Sequence, residues 1–576
     1  MLSRTLFAYI FKDLFRIFMM TSGALAGIMS FGGLLRPLTR EGLDAGQVGR
    51  MLTYFTPAMT TYSFPVAALF ATAVVYGRLS ADNELTAARS SGISLISLTV
   101  AGPALVLGLI VAIVSLMFLC FIVPASTYKV EQVIYSNIAK FIANRVERNH
   151  EVPFSDSGAI IYGQSAYLPP QDKLPRGRQR VVIYSPTIVK VDRPRPQERD
   201  YRVPRDFYTG SRAIIDIQKM RGDEDEVQMT MTLEGGFKFP RVYEGAVEAG
   251  IEQTSYGPVI MPSPIKPDVK FMDVWRLKHL YNHIADSEKV RKVLNEFRLN
   301  GQREKFFEEV SNQLNSPQHE ARFNFETGEH YVLKWDGPGP VGAQVKELIA
   351  PLPEYARTQA GTTRATGIMA TPRPVLFQKF DASGATLTMH AASMRMFARP
   401  RTEADQLDVT LELTDCFDGT LLRSQPFVLS FNVPMSDAVK SMADQSLEYF
   451  ESKAAVGLGD QRNLMLVKTE MYNAIIAESN GRASFAISCL ILVMAGSALG
   501  MMFKSGNFLT AFAVSFVPAL LSITLIIAGQ RVASHLPLHF NPANNAPLQT
   551  GLFLIWIGNF VNLALAGTLL WRLGRK

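Results

Sequence analysis

Charged residues are absent from six long stretches of this chain: 17–35, 51–77, 90–128, 483–503, 505–530 and 538–571. Each approaches or exceeds the roughly 20 apolar residues that carry a helix across a bilayer, so six spans are predicted, three at each end. Residues 129–482 between them hold no run that could cross, which predicts a large water-soluble region emerging from one face.

Inside that region the pattern changes period. Residues 159–162, 181–184 and 213–217 are strand-like, and over 227–233 Val227, Met229, Met231 and Leu233 alternate with Gln228, Thr230 and Thr232. This predicts a β-sandwich or an open β-groove. Residues 272–314 read as helical, with Val274, Leu277, Tyr281 and Ile284 at helix spacing. A second strand-rich part follows, marked by Leu407, Val409, Leu411 and Leu413 and by 427–433, and the Gly-, Pro-, Ala- and Thr-rich stretch 337–374 reads as a linker or mobile loop. The expected fold class is an α+β membrane protein, six transmembrane helices (3+3) flanking a β-rich domain with a helical insert. Its parts are residues 1–128 (spans 1–3), 129–300 (β-rich, with a trailing helix), 301–468 (an additional helical and β-rich module) and 469–576 (spans 4–6).

Charge sets the orientation. Among the short segments, Arg4, Lys12, Arg16, Arg78, Arg89, Lys504, Arg572, Arg575 and Lys576 fall on one side, against Arg36, Arg40, Arg50, Arg482 and Arg531 on the other. Basic residues mark the cytoplasmic side, so both termini are expected there, with the large region periplasmic in a bacterial inner membrane. A cleaved signal ending near Ala24-Leu25-Ala26 is the competing reading, but it would leave an odd number of spans. The net charge of +7 is shared between membrane anchors and the large region and is no argument for nucleic acid. Of three cysteines, Cys120 and Cys489 lie in spans, which leaves Cys416 without an intrachain disulfide partner in the exported region.

The sequence carries no catalytic constellation. No Gly-Lys dipeptide occurs, so there is no phosphate-binding Walker loop, and any ATP would be used by a partner, with no cofactor in this chain. His279 and His283 are spaced i, i+4, but the adjacent glutamate of a zinc-protease motif is missing, and ordinary surface histidines are the plainer reading. His535 and His539 flank Pro537, and no nucleophile elbow is present. No catalytic or metal residue is assigned. Asn559 and Asn562 in the last span should face other helices, and Pro57, Pro65, Pro103 and Pro518 suit either a bundle that opens sideways or static packing.

Two sets of charged residues stand out. Asp82, Glu84 and Arg89 lie in the short run 82–92 between two uncharged stretches, at one membrane face; they could engage a soluble partner or simply form a solvated loop. At the other face Arg36, Arg40, Lys129, Arg482 and Arg531, with Arg50, would sit at headgroup level, placed either to hold lipid phosphate or to anchor and pair with Glu41, Asp44 and Glu478.

The run Asp-Asn-Glu-Leu-Thr-Ala-Ala-Arg-Ser-Ser-Gly, the three-plus-three layout, Glu478-Ser-Asn-Gly-Arg482 at the start of the fourth span and Asn559 in the last together resemble the LptF/LptG (YjgP/YjgQ) family of lipopolysaccharide export permeases. The resemblance covers residues 1 to about 290 and about 465 to 576. It implies a paralogous permease partner (LptF or LptG type), a dimeric cytoplasmic ATPase (LptB type) docked on the loop between spans 2 and 3, and a periplasmic jellyroll that passes lipopolysaccharide to bridge proteins (LptC/LptA type). On this chain Glu84 would contact an ATPase arginine, with Asp82 and Arg89 beside it. Arg36 and Arg40 would meet lipid phosphates near a lateral gate of spans 1 and 5. The region between the spans is longer than one jellyroll needs, hence the additional module. A permease for another lipid or lipoprotein, and a membrane-anchored periplasmic scaffold or sensor, are the alternatives.

Overall fold

The computed structural model describes residues 4–41, 45–95, 99–135, 138–154, 159–170, 174–175, 178–191, 204–219, 227–239, 249–261, 268–325, 329–337, 340–343, 347–349, 373–381, 384–401, 405–418, 427–452, 458–502, 508–536 and 544–575. The chain divides into two compact units: Met1–Asn282 with Tyr472–Pro537 and Ala543–Lys576, and a second centred on His283–Met471.

Among the described residues of the chain, six helices are long and apolar enough to cross a membrane. They are α1 (Arg4–Glu41), α2 (Ala45–Ala81), α4 (Gly102–Met117) running through a single π-helical turn at Phe118–Ile122 into α5 (Val123–Tyr135), α11 (Leu458–Met502), α12 (Phe508–Ser534) and α13 (Ala546–Arg575). Pro103 sits in the first turn of α4, where a missing N–H leaves nothing unpaired. Around Pro57 of α2, the hydroxyls of Thr56, Thr60 and Thr61 donate to carbonyls one turn back, the local satisfaction that hydrocarbon demands.

One core joins these helices, with Ile10, Leu14 and Phe18 of α1 meeting Phe64, Tyr76 and Leu79 of α2, Leu107 and Val111 of α4, and Phe485, Cys489 and Val493 of α11. The apolar stretch of α11 is 78% buried against 28% for those of α1, α12 and α13, so α11 is the central post. The amides of the last span face other helices: Asn559 Nδ2 donates to Ser484 O and Oγ, both at 2.8 Å, and Asn562 Nδ2 donates to Ser522 Oγ at 2.7 Å.

The first unit also holds an antiparallel sheet of eight strands: β1 (Glu151–Phe154), β2 (Ala159–Tyr162), β3 (Ser165–Tyr167), β4 (Arg178–Tyr184), β5 (Thr187–Val191), β6 (Pro204–Lys219), β7 (Val227–Phe239) and β8 (Ala249–Met261). The long β6 pairs with β5 along its first half and β4 along its second, while β7 follows its other edge, so the sheet curls. Its inner face buries Val181, Ile183, Ala213, Ile215 and Met231 against Ile138, Ile142 and Val146 of α6 (Ile138–Asn149). The alternation read from 227–233 is thus that of a half-buried strand, β7, and the strand-like stretches 159–162, 181–184 and 213–217 are β2, β4 and part of β6.

The helical stretch 272–314 is two helices. α7 (Val274–Asn282) is capped by Asp273, whose carboxylate accepts from the Arg276 N–H at 2.7 Å. After a 3₁₀ turn at Ile284–Asp286 comes α8 (Glu288–Leu314). His283 falls outside α7 with φ −129°, so His279 and His283 do not share a helical face.

In the second unit two sheets share one core. The first has the order β14-β13-β10-β9, from β9 (Glu320–Asn324), β10 (His330–Trp335), β13 (Val375–Asp381) and β14 (Gly384–Ala391). The other has the order β11-β12-β15-β16-β17, from β11 (Gly342–Ala343), β12 (Leu348–Ile349), β15 (Ser393–Arg401), β16 (Gln406–Thr414) and β17 (Phe427–Pro434). Facing side chains such as Phe377, Met389, Met396 and Leu411 interdigitate, as in a β-sandwich, and α8 adds Phe306, Phe307, Val310 and Leu314 to the same core. Two short helices, α9 (Asp437–Ser441) and α10 (Leu447–Ser452), follow. A domain boundary at 300/301 would cut α8; the second unit begins at His283 because this helix is part of its core. Part of the expected linker 337–374 is ordered as β11 and β12, and residues 350–372 lie outside the described residues.

Candidate functional site

The charged run folds as α3 (Glu84–Ser90), set off from α2 by Asn83, which takes the left-handed conformation at φ 60°. Glu84 is in the first turn and Arg89 in the last, each complementing the helix dipole. Gly92, at φ +80°, closes the end with its N–H on the Arg89 carbonyl at 3.0 Å, a geometry that other residues adopt at a cost. Leu85 is buried in the core shared by the spans, whereas Asp82, Glu84 and Arg89 are exposed. Beside it, Arg78 at the end of α2 pairs with Asp13 of α1. The helix is fastened by its apolar side and, with Asp82 just before it, offers two acids and an arginine to solvent.

The depth of the other charged residues follows from the helices themselves. Ser80 Oγ donates to the Met501 carbonyl at 3.3 Å, which puts the last turn of α11 level with the start of the charged run. Arg482 lies 19 residues earlier on α11, about 28 Å along the axis, close to the roughly 30 Å of a hydrocarbon core. Cys120 of the π-helical turn lies against Arg482. Nine residues further on, about 13 Å at helical rise, Lys129 stands over the Tyr54 ring at 5.7 Å.

Arg482 is not offered to lipid. It is 3% exposed, its Nε donates to Glu478 Oε1 at 2.8 Å, and its Nη2 donates to the carbonyls of Met272 at 2.7 Å, Lys270 at 3.2 Å and Val269 at 3.5 Å. Nη1 is buried without a hydrogen-bond partner among the described residues. The second oxygen of Glu478 accepts from Gln530 Nε2 of α12 at 2.9 Å. A side chain at Gly481 would meet the Gln530 amide, so glycine here leaves room for that amide to reach Glu478. The geometry is that of the pairing arm of the two readings: a buried cation with this many internal acceptors clamps α11, α12 and the strand-to-helix segment at 269–272 together.

Lys129 and Arg531 are exposed, as is Arg50. Arg36 and Arg40 lie in the last turns of α1, and their side chains are outside the described residues. The structure therefore gathers Asp82, Glu84 and Arg89 on one short segment. Gln530 and the carbonyls at 269–272 escaped the sequence reading, since no motif links positions about 210 apart. The i, i+4 spacing of Glu478 and Arg482 was the one available signal. Among the described residues no three His, Cys, Asp or Glu side chains stand close enough together to hold a metal.

Six helices able to span a membrane, packed about α11 as one of them, with a curled sheet and a charged helix at one end of the second, define a multi-pass membrane protein. Residues 8–169 match the model of a family described as lipopolysaccharide export system permease LptF/LptG, which supports that permease family for this chain, and lipopolysaccharide export at the level of the family. The matched segment contains spans 1–3, α3 and the first strands of the curled sheet. No curated protein matches the chain.

Proposed function

We propose that this chain is the permease subunit of an ABC-type exporter that extracts lipopolysaccharide from a bacterial inner membrane and passes it to a periplasmic bridge. Its termini are cytoplasmic and its β-rich units periplasmic. It works with a paralogous permease of LptF or LptG type, a dimeric ATPase of LptB type and bridge proteins of LptC/LptA type. The chain itself carries no cofactor, and ATP is used by the ATPase.

The observation that carries this reading is the family match over spans 1–3 together with the exposed acids Asp82 and Glu84, just before and at the start of α3, inside the matched segment. The mechanism is a shift between two bundle arrangements driven by differential binding. Closure of the ATPase dimer presses on α3, whose Leu85 is set in the core of the spans, and Ser80 links the end of α2 to the end of α11. Movement of α11 then reaches the clamp of Glu478, Arg482 and Gln530, and with it α12, so the cavity that holds the lipid becomes one that expels it.

The test is Glu84→Lys in the native complex. Reversing the charge should abolish lipid-stimulated ATP turnover and export while the spans remain folded. Unchanged transport with a fully assembled ATPase would remove Glu84 from the coupling role. Gentle purification of the wild-type protein with mass spectrometry of its lipids and polypeptides separates the cargo readings. A phosphorylated glycolipid with an ATPase and a second six-span chain supports the proposal, whereas another lipid redirects it.

A further inference from the structure

The segment from Asp268 to Asn282 leaves the curled sheet and carries unusually exposed aromatic surface. Trp275 is 70% exposed, with Phe271 and Val274 also open, while Met272, Leu277 and Leu280 are buried. Lys270, Arg276 and Lys278, all exposed, flank the open aromatics in sequence; Lys270 pairs with Asp268 at 3.0 Å and stands over the Phe271 ring at 5.7 Å. The carboxylate of Asp273 is spent capping α7.

The depth of this segment is fixed by contacts at both ends. Its start is bonded to Arg482 through the Met272 carbonyl at 2.7 Å. Near its other end Tyr281 meets Tyr472 of α11 edge to face at 5.7 Å. Tyr472 is ten residues before Arg482, about 15 Å further along the helix, so α7 climbs beside α11 away from the span. Trp275, three residues past Met272, lies between the Arg482 level and the level of Lys129, which is about 13 Å beyond it by helical rise. The first roughly 5–7 Å of that layer is the headgroup region of this face, half of what separates about 30 Å of hydrocarbon from the roughly 40–45 Å of the whole bilayer.

We propose that Phe271 and Trp275, with Lys270, Arg276 and Lys278, form a membrane-surface anchor whose occupant is the headgroup layer of the lipid around the spans. Indole and phenyl rings are amphipathic bodies suited to that layer, and the flanking cations reach lipid phosphate while their stems lie along the acyl boundary. The anchor fixes the height of the segment through which the curled sheet joins α11. It depends on the chain spanning a membrane and not on which lipid is exported.

The test is a depth measurement on the full-length chain in phosphatidylethanolamine and phosphatidylglycerol vesicles. A nitroxide on Trp275→Cys is compared with one on Leu109→Cys, exposed in the middle of span 3, and one on Thr86→Cys, exposed on α3. The three native cysteines are buried, and unsubstituted protein gives the labelling background. The ratio of oxygen to nickel-chelate accessibility at 275 should fall between the two references. A ratio equal to that at Thr86 would show water there, and a label shielded from both reagents would show a protein cover; either overturns the proposal. Because the substitution at 275 could disturb folding, quenching by brominated lipid is read as well on otherwise native protein. Trp275→Phe should remove a lipid-quenched component of the fluorescence, and removal of a component quenched only by aqueous acrylamide contradicts the anchor.

Discussion

At Arg482 the geometry decides what the charge is for. A guanidinium that is 3% exposed and bonded to Glu478 and to three carbonyls cannot be traded for a neutral side chain without stranding its carboxylate. Arg482→Ala should lower stability by on the order of 3–5 kcal/mol, the usual result of removing one member of a buried pair. Thermal unfolding in detergent checks this, and removing Glu478 as well should recover part of the loss. If Arg482→Ala costs no more than a surface substitution, about 0.5 kcal/mol, the clamp does not hold the bundle. The sequence made the pairing with Glu478 legible as one of two readings, through the i, i+4 spacing. Nothing in it placed the acceptors at 269–272, because a carbonyl has no residue identity to recognise.

For the elements, legibility followed the strength of the local pattern. Uncharged runs gave the spans, since the cost of a charge in hydrocarbon leaves few alternatives. Strict alternation gave β7 and β16, whose residues alternate between core and surface. The two-residue strands β11 and β12 were invisible: they sit among glycine and proline, and their pairing, β11 with β12 and β12 with β15, is supplied by the sheet. The break between α7 and α8 was hidden for a related reason, because buried Ile284 keeps the helical spacing while lying in a 3₁₀ turn. On α3, position 85 is the hinge of the argument. Leu85→Asp places a charge in the shared core and should release α3 from the bundle, seen as faster amide exchange over 84–90 with exchange in the spans unchanged. Slow exchange at 84–90 in this variant would mean that α3 is held by something other than Leu85.

Taken whole, the molecule alternates units that were read from sequence as successive domains. The second unit has a core of its own, drawn from both sheets and from α8. The places where the chain departs for it and comes back, Asn282 and Tyr472, are neighbours within the first unit, since the rings of Tyr281 and Tyr472 touch. That contact makes the second unit a cassette. An insertion whose two attachment points are adjacent imposes no separation on its host, and shortening it costs little in loop closure. Replacing residues 283–471 by a short Gly-Ser bridge should therefore leave a chain that still inserts and unfolds cooperatively, with the clamp at Arg482 intact, as judged by thermal scans of the purified protein. Collapse of the shortened chain would show that the host depends on its guest. A lineage could accordingly exchange the cassette for another without redesigning the part that crosses the membrane.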